Sequence, residues 1–283
     1  MINIIIPCTP NYSGKNIINT VNKKIDMVSQ FILLYNSIIK NWSFDYKINL
    51  FHNKNIPFKK EDKEILDKLD IEIFGVEQDH NSTPYQVRCN AVCHKEMEIG
   101  THRLVLDCDT VALKQPKLDL DVDWQVMYAN SVIDETYYEF INTKYDYNLN
   151  LKDKVKGPLF SKYMDGDDYS NFFPHFNGGA YFMKEGLCKD FKQLFTPSYG
   201  IVDQVNLPRD IRHIGIQYGA SFALAKISTN WKPFEPGFNY LVKSYDIAKF
   251  NKNNVSLLHY CGTGGFEVAY RDFGEEIDHL RRH

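Results

Sequence analysis

Short apolar runs alternate with amphipathic stretches over about the first 110 residues. Asn3–Pro7, Tyr46–His52 and Ile71–Val76 are apolar runs of strand length. A long helix is predicted between the first two runs, because apolar residues recur there at steps of three and four. Those apolar positions are Val21, Ile25, Val28, Ile32, Tyr35 and Ile39. A shorter charged helix is predicted over Lys59–Leu69.

A second helix and a fourth strand complete this pattern. Thr83-Pro84-Tyr85-Gln86 offers an N-cap Thr, a Pro at the first helical position and a Gln at the third, so a helix is predicted to begin here. It should extend to about Ile99, because Gly100 suits the C-terminal cap. A buried strand is predicted over His102–Leu106. This alternation predicts an α/β fold with a mostly parallel central sheet, helices on both faces and ligands at the carboxyl ends of the strands.

The second part of the chain is less regular. Strands are predicted at Trp124–Ala129 and Val255–His259, and a loop running into a strand at Phe176–Met183. Residues 131–171 form an insertion that is either a lid or acceptor surface, or a solvated excursion with weak helices. Because no composition shift marks a boundary, 1–283 is predicted to be one domain, with a nucleotide-binding half (1–110) and a sugar and acceptor half (111–283).

Composition and charge narrow the class of protein. A net charge of −3 and a pI near 6.3 argue against nucleic acid as the partner. The six cysteines show no C-x-x-C spacing, which is typical of a reducing compartment. No apolar run has the length of a transmembrane helix, and the first strand begins too near Met1 for a signal peptide. A soluble cytoplasmic protein is therefore expected, and a homo-oligomer is compatible with the sequence.

Asp107-Cys108-Asp109 closes the fourth predicted strand. Because side chains alternate along a strand, both carboxylates should point one way and Cys108 the other. Two converging carboxylates at a strand end suit Mg²⁺ or Mn²⁺ that also holds a diphosphate. The alternative is a turn whose two Asp residues cap the backbone and face solvent.

Further motifs follow this D-x-D motif in a fixed order. They read FNGG at Phe176–Gly179, FNY at Phe238–Tyr240 and LLHYCG at Leu257–Gly262. With the first strand and the D-x-D motif, this set resembles the nucleotide-sugar-dependent glycosyltransferases of GT-A fold. It is most similar to the retaining group that includes glycogenin and bacterial lipopolysaccharide galactosyl- and glucosyltransferases (glycosyltransferase family 8).

The resemblance implies a metal site built from three residues. Asp107, Asp109 and His259 would hold Mn²⁺ or Mg²⁺ on the diphosphate of the donor. A Lewis acid at this place stabilises the charge that develops on the leaving nucleoside diphosphate. The alternative for His259 is a hydrogen-bonded core histidine.

The resemblance also implies residues that contact the donor. Arg88 would contact sugar and phosphate, and its alternative is a surface arginine. Gln217 would lie at the reacting face of the sugar, although Ile216 replaces the acidic neighbour usual there and Asp203-Gln204 is a rival match. The remaining expected donor-binding residues are Thr9, Asn11 and Tyr12 for base and ribose, Asn177, Gly178 and Gly179 for the sugar, and Gly262 in the Gly-rich turn beside the phosphate.

The expected activity is metal-dependent transfer of a sugar from a nucleotide-sugar donor, with UDP favoured, to a glycan, protein or lipid-linked hydroxyl acceptor. The resemblance implies that the transfer retains the anomeric configuration. The sequence shows no evident carboxylate nucleophile. It also lacks the Lys that often follows the His motif in the family. One alternative is a non-catalytic nucleotide-sugar-binding protein on the same scaffold. Another is a sugar nucleotidyltransferase, which Cys8–Lys15 disfavours because that loop holds one Gly and one Lys.

Overall fold

Twelve strands and five helices are assigned in a computed structural model that describes residues 1–8, 18–19, 24–77, 87, 91–92, 94, 102–132, 143–144, 159–166, 174–187, 190–191, 193–194, 215–261 and 263–281. The strands are β1 (Ile2–Pro7), β2 (Ile18–Asn19), β3 (Lys24–Ile25), β4 (Tyr46–Asn53), β5 (Glu72–Val76), β6 (His102–Leu106), β7 (Thr110–Ala112), β8 (Trp124–Val132), β9 (Pro174–Met183), β10 (Trp231–Pro233), β11 (Tyr240–Leu241) and β12 (Leu257–His259). The helices are α1 (Met27–Asn41), α2 (Lys60–Leu66), α3 (Phe160–Met164), α4 (Gly215–Ile227) and α5 (Thr263–Arg281).

The central sheet has seven strands in the order β10-β8-β9-β6-β1-β4-β5. β1 pairs in parallel with β4 and β6, β4 with β5, and β10 with β8. β9 runs antiparallel to both of its neighbours, β6 and β8. All six residues of β1 are buried, as expected for a strand at the centre of such a sheet. The prediction of a mostly parallel α/β sheet is therefore confirmed.

A second sheet of three short strands covers the carboxyl end of β6. Its order is β11-β12-β7, with β12 parallel to β11 and antiparallel to β7. β7 follows the D-x-D turn directly, and His259 in β12 lies opposite Thr110 in β7. This small sheet brings a late segment of the chain to the end of β6.

Helix α1 differs from its prediction in both its start and its buried face. It begins at Met27, because the Asp26 side chain accepts a hydrogen bond from Ser29 N (2.9 Å) and caps the helix. The residues before it form β3, paired with β2. Phe31, Leu34 and Ile38 are fully buried, whereas Ile39 of the predicted face is exposed. Consecutive apolar residues at 31–34 offered two possible faces, and packing selected the other one.

Strand β9 begins earlier than predicted, so FNGG lies within a strand and not in a loop. Its pairing register with β8 shifts between Val126 and Met127, opposite Gly178–Ala180. The strand continues through this bulge because Asp107 N donates a hydrogen bond to Gly179 O (2.9 Å).

The predicted insertion is described only in part. Helix α3 packs beside β8, where Asn130 Oδ1 accepts a hydrogen bond from Ser161 N (2.9 Å), and Tyr163 OH donates to Phe234 O (2.9 Å). In the predicted helix after Thr83, Val87, Ala91 and Val92 are helical and buried, whereas His94 is not helical, so the helix does not continue unbroken to about Ile99 as predicted. Among the described residues, no helix combines the length and apolar character needed to cross a membrane.

Candidate functional site

The D-x-D motif forms a turn between β6 and β7, at the carboxyl end of the sheet. The Cys108 thiol is buried and donates to Pro7 O at the end of β1 (3.2 Å). Thr110 Oγ1 donates to Asp107 O (2.7 Å), which closes the turn. With Cys108 fixed inward, Asp107 and Asp109 remain only partly buried. The predicted arrangement, two carboxylates on one side and the cysteine on the other, is thus present in a turn instead of a strand.

His259 completes a three-residue cluster with these carboxylates. Tyr260 N donates to Asp109 O (3.1 Å), which fixes the end of β12 against the turn. His259 Nε2 lies 3.4 Å from Asp109 Oδ1. One ligand atom each from Asp107, Asp109 and His259 lies within 4.8 Å of the others, close enough for a single metal ion. Two carboxylates and an imidazole suit Mn²⁺, and the carboxylates alone suit Mg²⁺.

The environment of His259 favours a positive charge at this place. Burial alone would lower the pKa of the imidazole, but the Cys261 side chain and the Asp109 carboxylate raise the pKa to about 10. A proton therefore occupies the ring when no metal is bound. Since a coordinating imidazole must be neutral, a metal ion at Nε2 has to displace this proton. The cluster thus provides negative charge that either a proton or a metal cation can neutralise.

The FNGG segment is joined to this cluster through hydrogen bonds and close packing. Asn177 Oδ1 accepts from Gly179 N (2.8 Å) and from Asn239 Nδ2 (3.0 Å). A Cβ atom on Gly179 would lie 2.2 Å from His259 Nδ1, so only glycine allows the imidazole ring to pack here. Gly179 was predicted to contact the donor sugar, and the structure gives it a packing role against His259.

Gln217 lies in the first turn of α4, beside the FNGG segment. It lines, with Asn177, Gly178 and Tyr181, a narrow cavity of 10 Å³, which is space for about one water molecule. Ser221 connects the two elements: its hydroxyl donates to Gln217 O (2.7 Å) and accepts from Phe176 N (3.1 Å). The structure therefore brings Gln217 next to Asn177 and Gly178, which were also predicted to contact the donor sugar.

Several predicted site residues lie outside the described part of the chain. They are Thr9, Asn11, Tyr12, Arg88 and Gly262, together with the rival pair Asp203-Gln204. Their roles stay predictions. Pro7, which precedes the Thr9–Tyr12 segment, is joined to Cys108 at the same edge of the sheet.

Asn239 was not predicted as a site residue, although it is the central residue of the FNY motif. Its side chain is fully buried, and its backbone has a φ of 61°, a left-handed conformation that Asn tolerates better than most residues. Its Oδ1 atom and His259 Nδ1 are buried and make no hydrogen bond to a described residue. An Asn between two aromatic residues after Pro236-Gly237 was the available signal, because turn sequences of this kind favour positive φ.

The sheet order, the single reversed strand and the D-x-D turn at a strand end define a protein of GT-A glycosyltransferase fold. Among solved structures, the chain is similar to the galactosyltransferase LgtC in complex with donor and acceptor sugar analogues, with a TM-score of 0.54, 14% identity and coverage of 99% of this chain and 95% of that one. It is also similar to the bifunctional glycosyltransferase WbbM, with a TM-score of 0.52, 13% identity and coverage of 98% of this chain and 49% of that one. No protein-family profile and no curated protein matches the sequence.

Proposed function

We propose that this protein is a metal-dependent glycosyltransferase that moves a sugar from a nucleoside diphosphate sugar to a hydroxyl acceptor. The observation that carries the proposal is the cluster of Asp107, Asp109 and His259 at the carboxyl end of β6, within a GT-A fold. These three residues would hold the metal ion. A bound Mn²⁺ or Mg²⁺ would supply Lewis acidity for departure of the nucleoside diphosphate.

The residues beside the metal cluster suit recognition of a sugar. The carbonyl oxygen of the Asn177 amide already accepts two hydrogen bonds, one of them from a backbone N–H that can only donate. The amide orientation is therefore set, and its NH₂ group is the part left for hydroxyl oxygens of the donor. Gln217 also lines the small, mostly apolar cavity beside Asn177, and its amide can both donate and accept hydrogen bonds. This pairing supports the roles proposed for both residues.

The finer proposals concern the donor, the acceptor and the stereochemistry. UDP is the proposed nucleotide, with Thr9, Asn11 and Tyr12 on the base and ribose, and Arg88 and Gly262 on sugar and phosphate. The acceptor is a hydroxyl of a glycan, a protein or a lipid-linked sugar. The transfer is proposed to retain the anomeric configuration, which proton NMR of the first product formed would check.

The test is release of nucleoside diphosphate from a panel of nucleotide sugars, with Mn²⁺, with Mg²⁺ and with EDTA. We expect UDP release from at least one UDP-sugar, with loss of release in EDTA and in Asp109→Ala. Asp45→Ala is the matched control, because it removes an exposed carboxylate that pairs with the amino terminus at the opposite end of the sheet. It should retain full activity.

The same panel separates the proposal from its alternatives. A binding protein would be stabilised by the nucleotide sugar with Mn²⁺ but would release no nucleoside diphosphate with any acceptor. A nucleotidyltransferase would instead form nucleotide sugar and pyrophosphate from a nucleoside triphosphate and a sugar 1-phosphate. Activity of Asp109→Ala equal to that of Asp45→Ala would contradict the metal-dependent mechanism.

A further inference from the structure

Two buried polar atoms face the same small space beside Gly179. The position that a Gly179 Cβ atom would take lies 2.2 Å from His259 Nδ1 and 2.8 Å from Asn239 Oδ1. Neither atom has a hydrogen-bond partner among the described residues. A buried polar atom without a partner costs free energy, so each of these two atoms needs an explanation.

The chemistry of the two atoms is complementary. When Nε2 of an imidazole binds a metal, the proton resides on Nδ1, and that N–H needs an acceptor to fix the tautomer and the ring orientation. His259 Nε2 faces Asp109, on the metal side, so Nδ1 faces away from the metal. The Asn239 amide oxygen is an acceptor with both lone pairs available. No charged group is needed for this bond.

The hydrogen bonds of Asn239 determine which end of its amide faces His259. Asn239 Nδ2 donates to Asn177 Oδ1, which also accepts from Gly179 N. Because Gly179 N can only donate, Asn177 must present its oxygen and Asn239 must present its nitrogen to that oxygen. The oxygen of Asn239 is therefore left for His259. The chain also keeps a non-glycine residue at a φ of 61°, a conformation that costs free energy and is maintained where a side chain is needed.

We propose that Asn239 is a positioning residue for the metal site, whose Oδ1 accepts the Nδ1 hydrogen of His259 and directs Nε2 toward the metal shared with Asp107 and Asp109. This inference rests on the proposed metal-dependent function. It joins the FNGG, FNY and LLHYCG motifs into one unit, in which Asn177 fixes Asn239 and Asn239 fixes His259. Asn239 itself touches neither the metal nor the substrate in this account.

The experiment measures Mn²⁺ affinity directly, by electron paramagnetic resonance of the free ion, without any turnover. Asn239→Gly removes the amide and relieves the positive φ, so the fold should survive. Loss of such a partner typically weakens metal affinity by about 10- to 100-fold, and we expect a loss in that range. Asn239→Asp keeps an acceptor oxygen for His259 and tolerates the same backbone but loses the donor to Asn177 Oδ1, so it should lose less Mn²⁺ affinity than Asn239→Gly.

Two control variants test the rival explanations. Asn49→Ala removes another buried amide, which bonds Asn3 and Ile4 on the neighbouring strand β1 away from the site, and should leave Mn²⁺ affinity unchanged. Cys261→Ala removes the other side chain that influences His259, and should not weaken Mn²⁺ binding. A loss of affinity in Cys261→Ala but not in Asn239→Gly would overturn the proposal, because the thiol would then be the partner.

A double-mutant cycle with His259→Ala shows whether Asn239 acts through the imidazole. If it does, Asn239→Gly should weaken Mn²⁺ binding in wild type but cause no further loss in His259→Ala. Equal losses of Mn²⁺ affinity in both backgrounds would contradict the positioning role of Asn239 but not the proposed function. Equally weak Mn²⁺ binding by Asn239→Gly and Asn239→Asp would contradict it in the same way. Failure of the wild-type protein to bind Mn²⁺ would instead contradict the proposed function, and this inference with it.

Discussion

His259 and Asp109 form the pair on which the behaviour of the site depends. Their side-chain atoms approach within 3.4 Å, and His259 is buried while Asp109 is partly exposed. Because the pKa of His259 is raised to about 10, the metal-free site carries a proton at neutral pH. The proposed binding of a metal at neutral pH would therefore exchange a proton for a cation, and Mn²⁺ affinity should rise as the pH increases toward this pKa.

The first prediction is that Mn²⁺ binding releases about one proton per ion at neutral pH, since the imidazole must become neutral to coordinate. Calorimetric titration in two buffers of different ionisation enthalpy measures this number. His259→Ala should release none. A wild-type protein that binds Mn²⁺ without proton release would show that the imidazole is not a ligand.

The second prediction concerns stability without metal. A pKa raised in the folded state adds stability that is fully present below the ordinary histidine pKa of about 6.5 and is lost as the pH rises through about 10. In EDTA, the free energy of unfolding should therefore fall more steeply over this range in wild type than in Asp109→Asn, which lacks the carboxylate. Urea denaturation at several pH values gives the dependence of the free energy of unfolding on pH for both proteins. Equal slopes would contradict the interaction between His259 and Asp109.

The third prediction concerns Gly179. Gly179→Ala should displace the His259 ring and cost about 1–3 kcal/mol of folding stability, as overpacking of a buried position does. Mn²⁺ binding should be lost with it. Gly274→Ala is the control: its new Cβ meets only ordinary contacts at 3.8 Å in α5, so stability should be kept or slightly increased. Urea denaturation and Mn²⁺ titration compare the two, and normal Mn²⁺ binding by Gly179→Ala would be inconsistent with the packing described.

At this scale the sequence predicted the cluster of three side chains but not all of its contacts. Asp107, Asp109 and His259 could be predicted because each residue type is a metal ligand and the motifs occur in a recognisable order. Asn239 could not, because its role depends on a buried amide whose orientation is set by a backbone N–H of another strand. Gly179 was predicted as a sugar contact, since nothing in the sequence indicates which ring packs against it.

At the scale of elements, α4 and β9 are connected by the buried hydroxyl of Ser221. Its oxygen accepts from Phe176 N in β9 and its hydrogen is donated to Gln217 O in the same helix, so it contributes to how Gln217 sits relative to Asn177. The metal ligands lie on other elements, the turn after β6 and strand β12. The contacts of Gln217 and those of the metal ligands should therefore respond separately to substitutions in α4.

The fourth prediction follows from this separation. Ser221→Ala leaves Phe176 N buried without a partner, which should cost about 1–3 kcal/mol of folding stability. It should lower turnover with the best donor, since Gln217 loses its anchor, but leave Mn²⁺ affinity unchanged. Urea denaturation, steady-state kinetics and Mn²⁺ titration test these statements. A parallel loss of Mn²⁺ affinity would contradict the separate positioning of the two groups.

The bounds of helices and strands could be predicted only where the local sequence, and not packing against distant segments, determines them. Strands β4 and β6 fall close to their apolar runs, because burial on both faces needs continuous apolar sequence. The edge strand β5 also falls close to its run, although only Val76 in it is buried. The start of α1 was set by the Asp26 cap, and its buried face was ambiguous among four consecutive apolar residues. The start of β9 was predicted to be a loop because it contains Gly178 and Gly179. In the structure the strand continues past these glycines, since it pairs with β6.

At the scale of the whole molecule, the regular alternation of strands and helices was enough to predict the mostly parallel sheet. The reversal of β9 and the small sheet of β7, β11 and β12 were not, because both depend on pairings between segments far apart in sequence. Those two features bring Asn177, Asn239 and His259 to the end of β6. The site is therefore a property of the complete fold, not of its first half.

The most direct test of the central claim is the anomalous difference map of a crystal grown with Mn²⁺ and UDP. We expect one strong peak bonded to carboxylate oxygens of Asp107 and Asp109 and to Nε2 of His259, with the diphosphate on the same ion. A diphosphate bound without metal, or a peak that leaves His259 uncoordinated and still packed in the core, would contradict it.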